Sequence, residues 1–216
     1  SYTVIPNGID PDAFERDPAS RRRLRAEWGL ADDDVLIVYV GRLHREKGID
    51  TLLSALSHLS ARGRPQPTVI AGDGPDRAMV ETFIAHGEGG GCCRWIGFQK
   101  DVRGVLSAGD VFVMPSRWEG FPLALGEAMA ASLPVVGTRV TGIQDLVEEG
   151  RTGGLVEREG VVELAETIET LASNFALRRR YGEAGRRRIV GRFSIDRMIR
   201  AHEALYLEVA GGGVRP

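Results

Sequence analysis

Cysteine is almost absent from this chain: Cys92 and Cys93 are the only two in 216 residues. Sequence neighbours rarely close a strain-free disulfide, so a disulfide framework is excluded and a cytoplasmic protein is predicted. Long apolar runs are absent too. No stretch approaches the ~20 residues that span a bilayer, and the first residues do not have the pattern of a signal peptide. Neither sign of charge dominates: 28 Lys and Arg face 30 Asp and Glu, for a net charge of -2. That balance gives no global argument for nucleic acid, and none is predicted as a partner. No spacing of His, Cys and Asp suggests a metal site, so neither metal nor cofactor is expected. No Gly-x-Gly-x-x-Gly follows the first central strand, which runs into Gly41-Arg42-Leu43. This argues against a dinucleotide-dependent oxidoreductase.

What is present is an alternation of strand and helix patterns. Hydrophobic residues make up 43% of the chain, enough for one sizeable domain with a real core. Val35 to Val40 is a continuous apolar run, as in a strand buried on both faces. Ile49 to Ser60 carries Leu52, Leu53, Leu56 and Leu59 on one helical stripe. Further strands are expected at Thr68–Ala71, Arg94–Ile96, Val111–Met114, Pro134–Val136 and, at an edge, Gly154–Val156. Further helices are expected at Asp76–Ala85, Asp101–Ala108, Leu123–Ala131, Gly142–Glu148, Val161–Ala172, Ala176–Val190 and Ile195–Val209. The pattern predicts an α/β, Rossmann-like three-layer sandwich on a mainly parallel six-stranded sheet. Residues 1–210 would form the domain and 211–216 a frayed tail.

Chemistry concentrates in two loops. Glu119 and Glu127 lie eight positions apart, Glu119 between a strand and a helix and Glu127 one turn into that helix. Pro122 fits just before the helix, where its missing N–H costs least. Two carboxylates at the carboxyl end of a parallel sheet have acceptors for two sugar diols. Arg42 and Lys47, flanked by Gly41 and Gly48, follow the first central strand. Arg offers paired donors to phosphate and Lys a mobile point charge, although both also read as solvated loop cations. The glycines of Gly72-Asp73-Gly74 permit close backbone approach to a planar ring, while Asp73 equally reads as a simple turn residue. Trp118 and Phe121 read as packing residues. Arg21–Arg23, Arg178–Arg180 and Arg186–Arg188 read as solvated helix faces, or as attraction to anionic lipid.

The segment from Pro115 to Val136, PSRWEGFPLALGEAMAASLPVV, resembles the Glu-x7-Glu region of retaining GT-B glycosyltransferases of family 4, the group 1 glycosyl transferases. Four more segments fit in order: Val4 to Asp10, Val40 to Gly48, Ile70 to Pro75 and Trp95 to Phe98. The resemblance spans about Val4 to Val209 and implies the C-terminal, donor-binding domain. It implies a nucleotide diphosphate sugar of the UDP, GDP or ADP type as substrate. Arg42, Lys47 and Glu119 become the catalytic residues: the two cations on the leaving diphosphate, Glu119 on the transferred sugar. Gly41, Gly72, Gly74, Phe98, Gln99, Gly120, Phe121, Pro122, Leu123, Ala124 and Glu127 become donor-binding, with Glu127 on the ribose and backbone near Phe98 and Gln99 on the base.

The resemblance also implies an N-terminal acceptor-binding domain, removed from this chain or supplied by another. The isolated chain would then be inactive, and contact with the inner face of a membrane becomes an option. The alternative is a non-catalytic module that binds a nucleotide sugar or a partner. Two departures from the family pattern stand out. Thr141-Gly142 replaces a common Gly-Gly pair, and Ser132-Leu133 replaces a small-Gly pair, for which a local turn effect is expected.

Overall fold

The computed structural model describes residues 3–211. Six strands form one parallel sheet: β1 (Ile37–Val40), β2 (Thr68–Ala71), β3 (Cys93–Trp95), β4 (Val111–Met114), β5 (Val135–Thr138) and β6 (Gly153–Val156). Their spatial order is β3-β2-β1-β4-β5-β6, which leaves β3 and β6 at the edges. Helices fill the connections: α1 (Pro18–Glu27), α2 (Ile49–Ala61), α3 (Arg77–Ala85), α4 (Arg103–Ala108), α5 (Leu123–Ala130), α6 (Thr141–Leu146), α7 (Val161–Ser173), α8 (Phe175–Arg192) and α9 (Ile195–Gly211). The α/β, Rossmann-like sandwich expected from the sequence is what is observed. Of the expected tail, residues 212–216 lie outside the described residues, and Gly211 closes α9. No helix among the described residues is long and apolar enough to cross a membrane.

The apolar runs are explained by helices on both faces of the sheet. Side chains alternate across a strand, so a strand covered twice must be apolar throughout. Ile37 and Tyr39 of β1 pack into one cluster with Leu52, Leu56 and Leu59 of α2, Phe83 of α3 and Ile168 of α7. Leu36 and Val38 pack into the other, with Leu106 of α4, Leu125 and Met129 of α5, Leu146 of α6 and Ile189 of α8. Burying each such leucine contributes about 1.5–3 kcal/mol.

α1 starts where Asp17 accepts the N–H groups of Ala19 and Ser20 and Pro18 occupies the first turn. Of its arginines, Arg22 and Arg23 are exposed, but Arg21 and Arg25 turn inward. Arg21 binds Asp110 at 2.7 Å and the Ala108 carbonyl at 2.7 Å. The buried Arg25 binds Asp110 at 2.9 Å and the carbonyls of Ala31 and Asp34 at 2.7 Å. The other two runs behave alike: Arg178, Arg186 and Arg188 turn inward onto backbone carbonyls, while Arg179, Arg180 and Arg187 stay in solvent. A guanidinium has five donors, which suits capping several carbonyls at once. The expectation of solvated faces therefore fails for one or more members of each run.

Candidate functional site

From β1 the chain moves outward to β2 and β3, then returns to lay β4 on the other side of β1. The loops after β1 and β4 therefore diverge, and this switch point is where open α/β sheets take their ligands. Here the two loops are locked together. Arg45–Lys47 form a 3-10 turn, capped by His44 Nδ1, which accepts the Glu46 N–H. Gly48 closes it at φ 65°, and a Cβ there would lie 1.9 Å from the Pro115 carbonyl oxygen. Only glycine fits both the left-handed backbone and that approach.

Arg117 fastens the junction. Its N–H donates to the Glu46 carbonyl at 2.8 Å, and its guanidinium donates to both Asp50 oxygens at 2.8 and 2.7 Å. The same guanidinium reaches Glu159 at 2.6 Å and the Arg45 carbonyl at 2.5 Å. Its hydrogen bonds hold the Asp50 carboxyl below the ordinary carboxylate range.

Lys47 and Glu119 meet at this junction. Lys47 Nζ donates to Glu119 Oε1 at 2.7 Å, and the Ser116 hydroxyl donates to the same oxygen at 2.8 Å. Glu119 is 7% exposed, so its charge needs these partners. An ammonium has three donors, and one is spent on Glu119, which leaves the others for an incoming anion. Pro122 stands immediately before α5, as expected. The amides of Gly120, Phe121, Leu123 and Ala124 have no acceptor among the described residues. Glu127 is half-buried in α5 without a hydrogen-bond partner among the described residues, and burial pushes its carboxyl pKa up.

Beside the pair, Gly41, Arg42, Gly72, Phe98 and Gln99 come together around a cavity of about 380 Å³. Val40, Ala71, Asp73 and Val102 complete its wall. Phe98 lies 74% exposed at it. The Gln99 amide N–H donates to the Ile96 carbonyl at 2.7 Å, and its own carbonyl oxygen has no donor among the described residues. Gly72 and Gly74 also have a second task. A Cβ on either would strike the Gly41 or Leu43 carbonyl oxygen, at 1.8 and 2.3 Å, so they let the loop after β2 rest on the loop after β1. Asp73 accepts the Gly74 N–H at 2.8 Å and shapes the turn, while Gly74 stays outside the cavity wall.

A cavity of about 680 Å³ opens on the other side of Glu119, walled by Trp118, Gly120, Arg139, Thr141, Gln144, Glu157 and Arg158. Trp118 is 68% exposed, so the expectation that it packs is overturned. Glu119 takes the inward direction in this loop and its neighbour is left outside. Phe121 does pack, against Phe193 with ring centroids 6.1 Å apart. A further cavity, about 700 Å³, touches Trp28, Leu36, Thr68 and Cys93 at the amino ends of the strands. It is remote from the switch point.

This arrangement matches known proteins. The family model for glycosyl transferases group 1 matches residues 20–188. The chain belongs to this family. Among its relatives, alpha-D-kanosaminyltransferase of Streptomyces kanamyceticus is 35% identical over 167 residues, covering 76% of this chain and 43% of the relative. Sucrose-phosphate synthase of Thermosynechococcus elongatus superposes with a TM-score of 0.85 at 28% identity, over 98% of this chain and 53% of that one. Anabaena HepE in complex with UDP-glucose superposes with a TM-score of 0.84 at 25% identity, over 94% of this chain and 57% of that one. The fold is one half of the GT-B architecture. This group 1 transferase chain spans about half the length of the curated relatives it matches.

Within this site, Ser116, Arg117 and Asp50 escaped the sequence reading. Arg117 is one residue beyond Ser116 and two before Glu119, yet its partners are 42, 67 and 72 positions away. Adjacency to the glutamate was the only local signal.

Proposed function

We propose that this chain is the donor-binding half of a retaining, metal-independent hexosyltransferase that uses a nucleotide diphosphate sugar. The observation that carries this reading is the Lys47–Glu119 pair at the switch point, with the unsatisfied amides of α5 on one side and the Phe98–Gln99 cavity on the other. The base enters that cavity. Ribose hydroxyls donate to Glu127, whose carboxylate has no partner among the described residues to give up. The diphosphate lies against Arg42, the spare donors of Lys47 and the amides of Leu123 and Ala124. Fixed donors aimed at developing charge lower a barrier without reorganisation, so they replace a metal here. Lys47 stays oriented because Glu119 and Ser116 hold it. Glu119 and the Gly120 and Phe121 amides orient the transferred sugar, which leaves and rejoins on the same face.

The main part of the acceptor site, and the group that takes the acceptor proton, belong to a further N-terminal domain, in the same polypeptide or another. We assign any contact with an anionic membrane surface to the solvent-facing Arg179, Arg180 and Arg187.

The test is a transfer assay on the chain joined to an acceptor-binding half, with chelator present and the product's anomeric configuration read by NMR. Transfer with retention is expected, and Lys47→Ala should lower its rate about 10²–10³-fold. The chain alone should show no robust transfer. Inversion at the anomeric carbon, or loss of activity with chelator, contradicts the mechanism.

A further inference from the structure

The second large cavity at the carboxyl end of the sheet has no task in binding the donor. Its floor is the loop of Trp118, Glu119 and Gly120. Its walls are Arg139, Thr141 and Gln144 after β5 and Glu157 and Arg158 after β6. The Thr141 hydroxyl, the Gln144 amide and the Arg158 guanidinium have no partner among the described residues. Arg139 is held in place by Glu149 at 2.6 Å and Glu157 at 3.1 Å. A single large aromatic side chain, 68% exposed, stands among these groups. A ring that carries hydroxyls has apolar C–H faces and a polar rim. Its face suits an indole and its rim suits amide, hydroxyl and guanidinium donors.

We propose that this cavity is a carbohydrate subsite in which Trp118 stacks on a polyhydroxylated six-membered ring of the acceptor. This rests on the donor reading and extends it. The strand order separates the two rings. The base cavity lies at β1, β2 and β3, and the Lys47–Glu119 pair lies at β1 and β4. The Trp118 cavity lies at β4, β5 and β6. A donor laid from the base cavity to Glu119 ends where the second cavity begins, so the next ring along is the one that receives the sugar. Trp118 then chooses the acceptor by the flatness and hydroxyl pattern of that ring, and it takes no part in leaving-group departure.

The experiment is ligand-observed saturation-transfer NMR on the purified chain. The probes are methyl α-D-glucopyranoside and myo-inositol, each with and without UDP. UDP binding is followed on the same samples by calorimetry. The prediction is saturable contact with at least one ring probe, undiminished by saturating UDP. Trp118→Ala should weaken that contact about tenfold, as expected for loss of an aromatic anchor. Trp118→Phe should retain most of it, and both variants should bind UDP like the parent. Ring contact that is unaffected by Trp118→Ala overturns the proposal. Displacement of the ring by UDP overturns it too, because the cavity would then belong to the donor. Absence of any ring contact in the parent chain also overturns it. If instead UDP fails to bind while the ring still needs Trp118, the donor reading fails and with it the assignment of the ring to the acceptor, while a carbohydrate subsite at Trp118 is retained.

Discussion

Glu127 is a carboxylate kept half-buried with no protein partner among the described residues. Burial raises its pKa in the folded state above the ordinary 4.5, so the native protein binds this proton more tightly than the unfolded chain. Stability therefore falls as pH rises from about that value through the folded pKa. Glu127→Gln should raise Tm at pH 7, with the gain vanishing in melts well below pH 4.5. A Tm at pH 7 equal to or below the parent's would show that an interaction within the protein already compensates this charge. Ser132 is a second strained point, at φ 58° in a region that disfavours residues with a Cβ. Ser132→Gly should stabilise by about 1 kcal/mol, a Tm increase of roughly 2–4 °C.

At the scale of the residue, the pattern around Glu119 and Glu127 marked the right loop and helix. It did not show that Lys47 and Glu119 are partners, because the 72 positions between them close only when β1 and β4 pair. Exposure was equally hidden: local sequence cannot tell that Glu119 turns inward and Trp118 outward.

At the scale of the element, one carboxylate gathers the charged contacts that tie α1 to the sheet. Asp110 accepts from Arg21, from Arg25 and from the Leu36 N–H at 2.7, 2.9 and 2.9 Å. Asp110→Ala leaves a buried guanidinium short of its counter-charge. The expected cost is about 3 kcal/mol, read as a drop in Tm of roughly 10 °C. A change within 2 °C, which is less than about 1 kcal/mol, would mean that the carbonyl contacts of Arg25 suffice. The strands were legible because burial on both faces writes an unbroken apolar run, as in Val35 to Val40. Their bounds shift by a residue or two where polar or small residues still pair, as at Gly137 and Thr138 of β5. The basic runs misled because charge in a sequence does not reveal where carbonyls lie. Arg178 caps the end of α7, and Arg186 caps α5 across 56 positions.

At the scale of the whole molecule, the sheet is the scaffold that makes one crevice. Order reverses once, between β1 and β4, and the charged and unsatisfied groups gather there rather than at the larger cavity near Cys93. Arg117, Gly48 and the Lys47–Glu119 pair fix the geometry before any ligand arrives, so the chain should bind a nucleotide without help from the acceptor half. The direct test is calorimetric titration of UDP, GDP and ADP into the purified chain and into Arg42→Ala, Lys47→Ala and Glu127→Ala. Saturable binding of at least one of the three by the parent is expected, weakened about tenfold by each substitution while the fold is retained. A folded parent chain that binds none of them would contradict it.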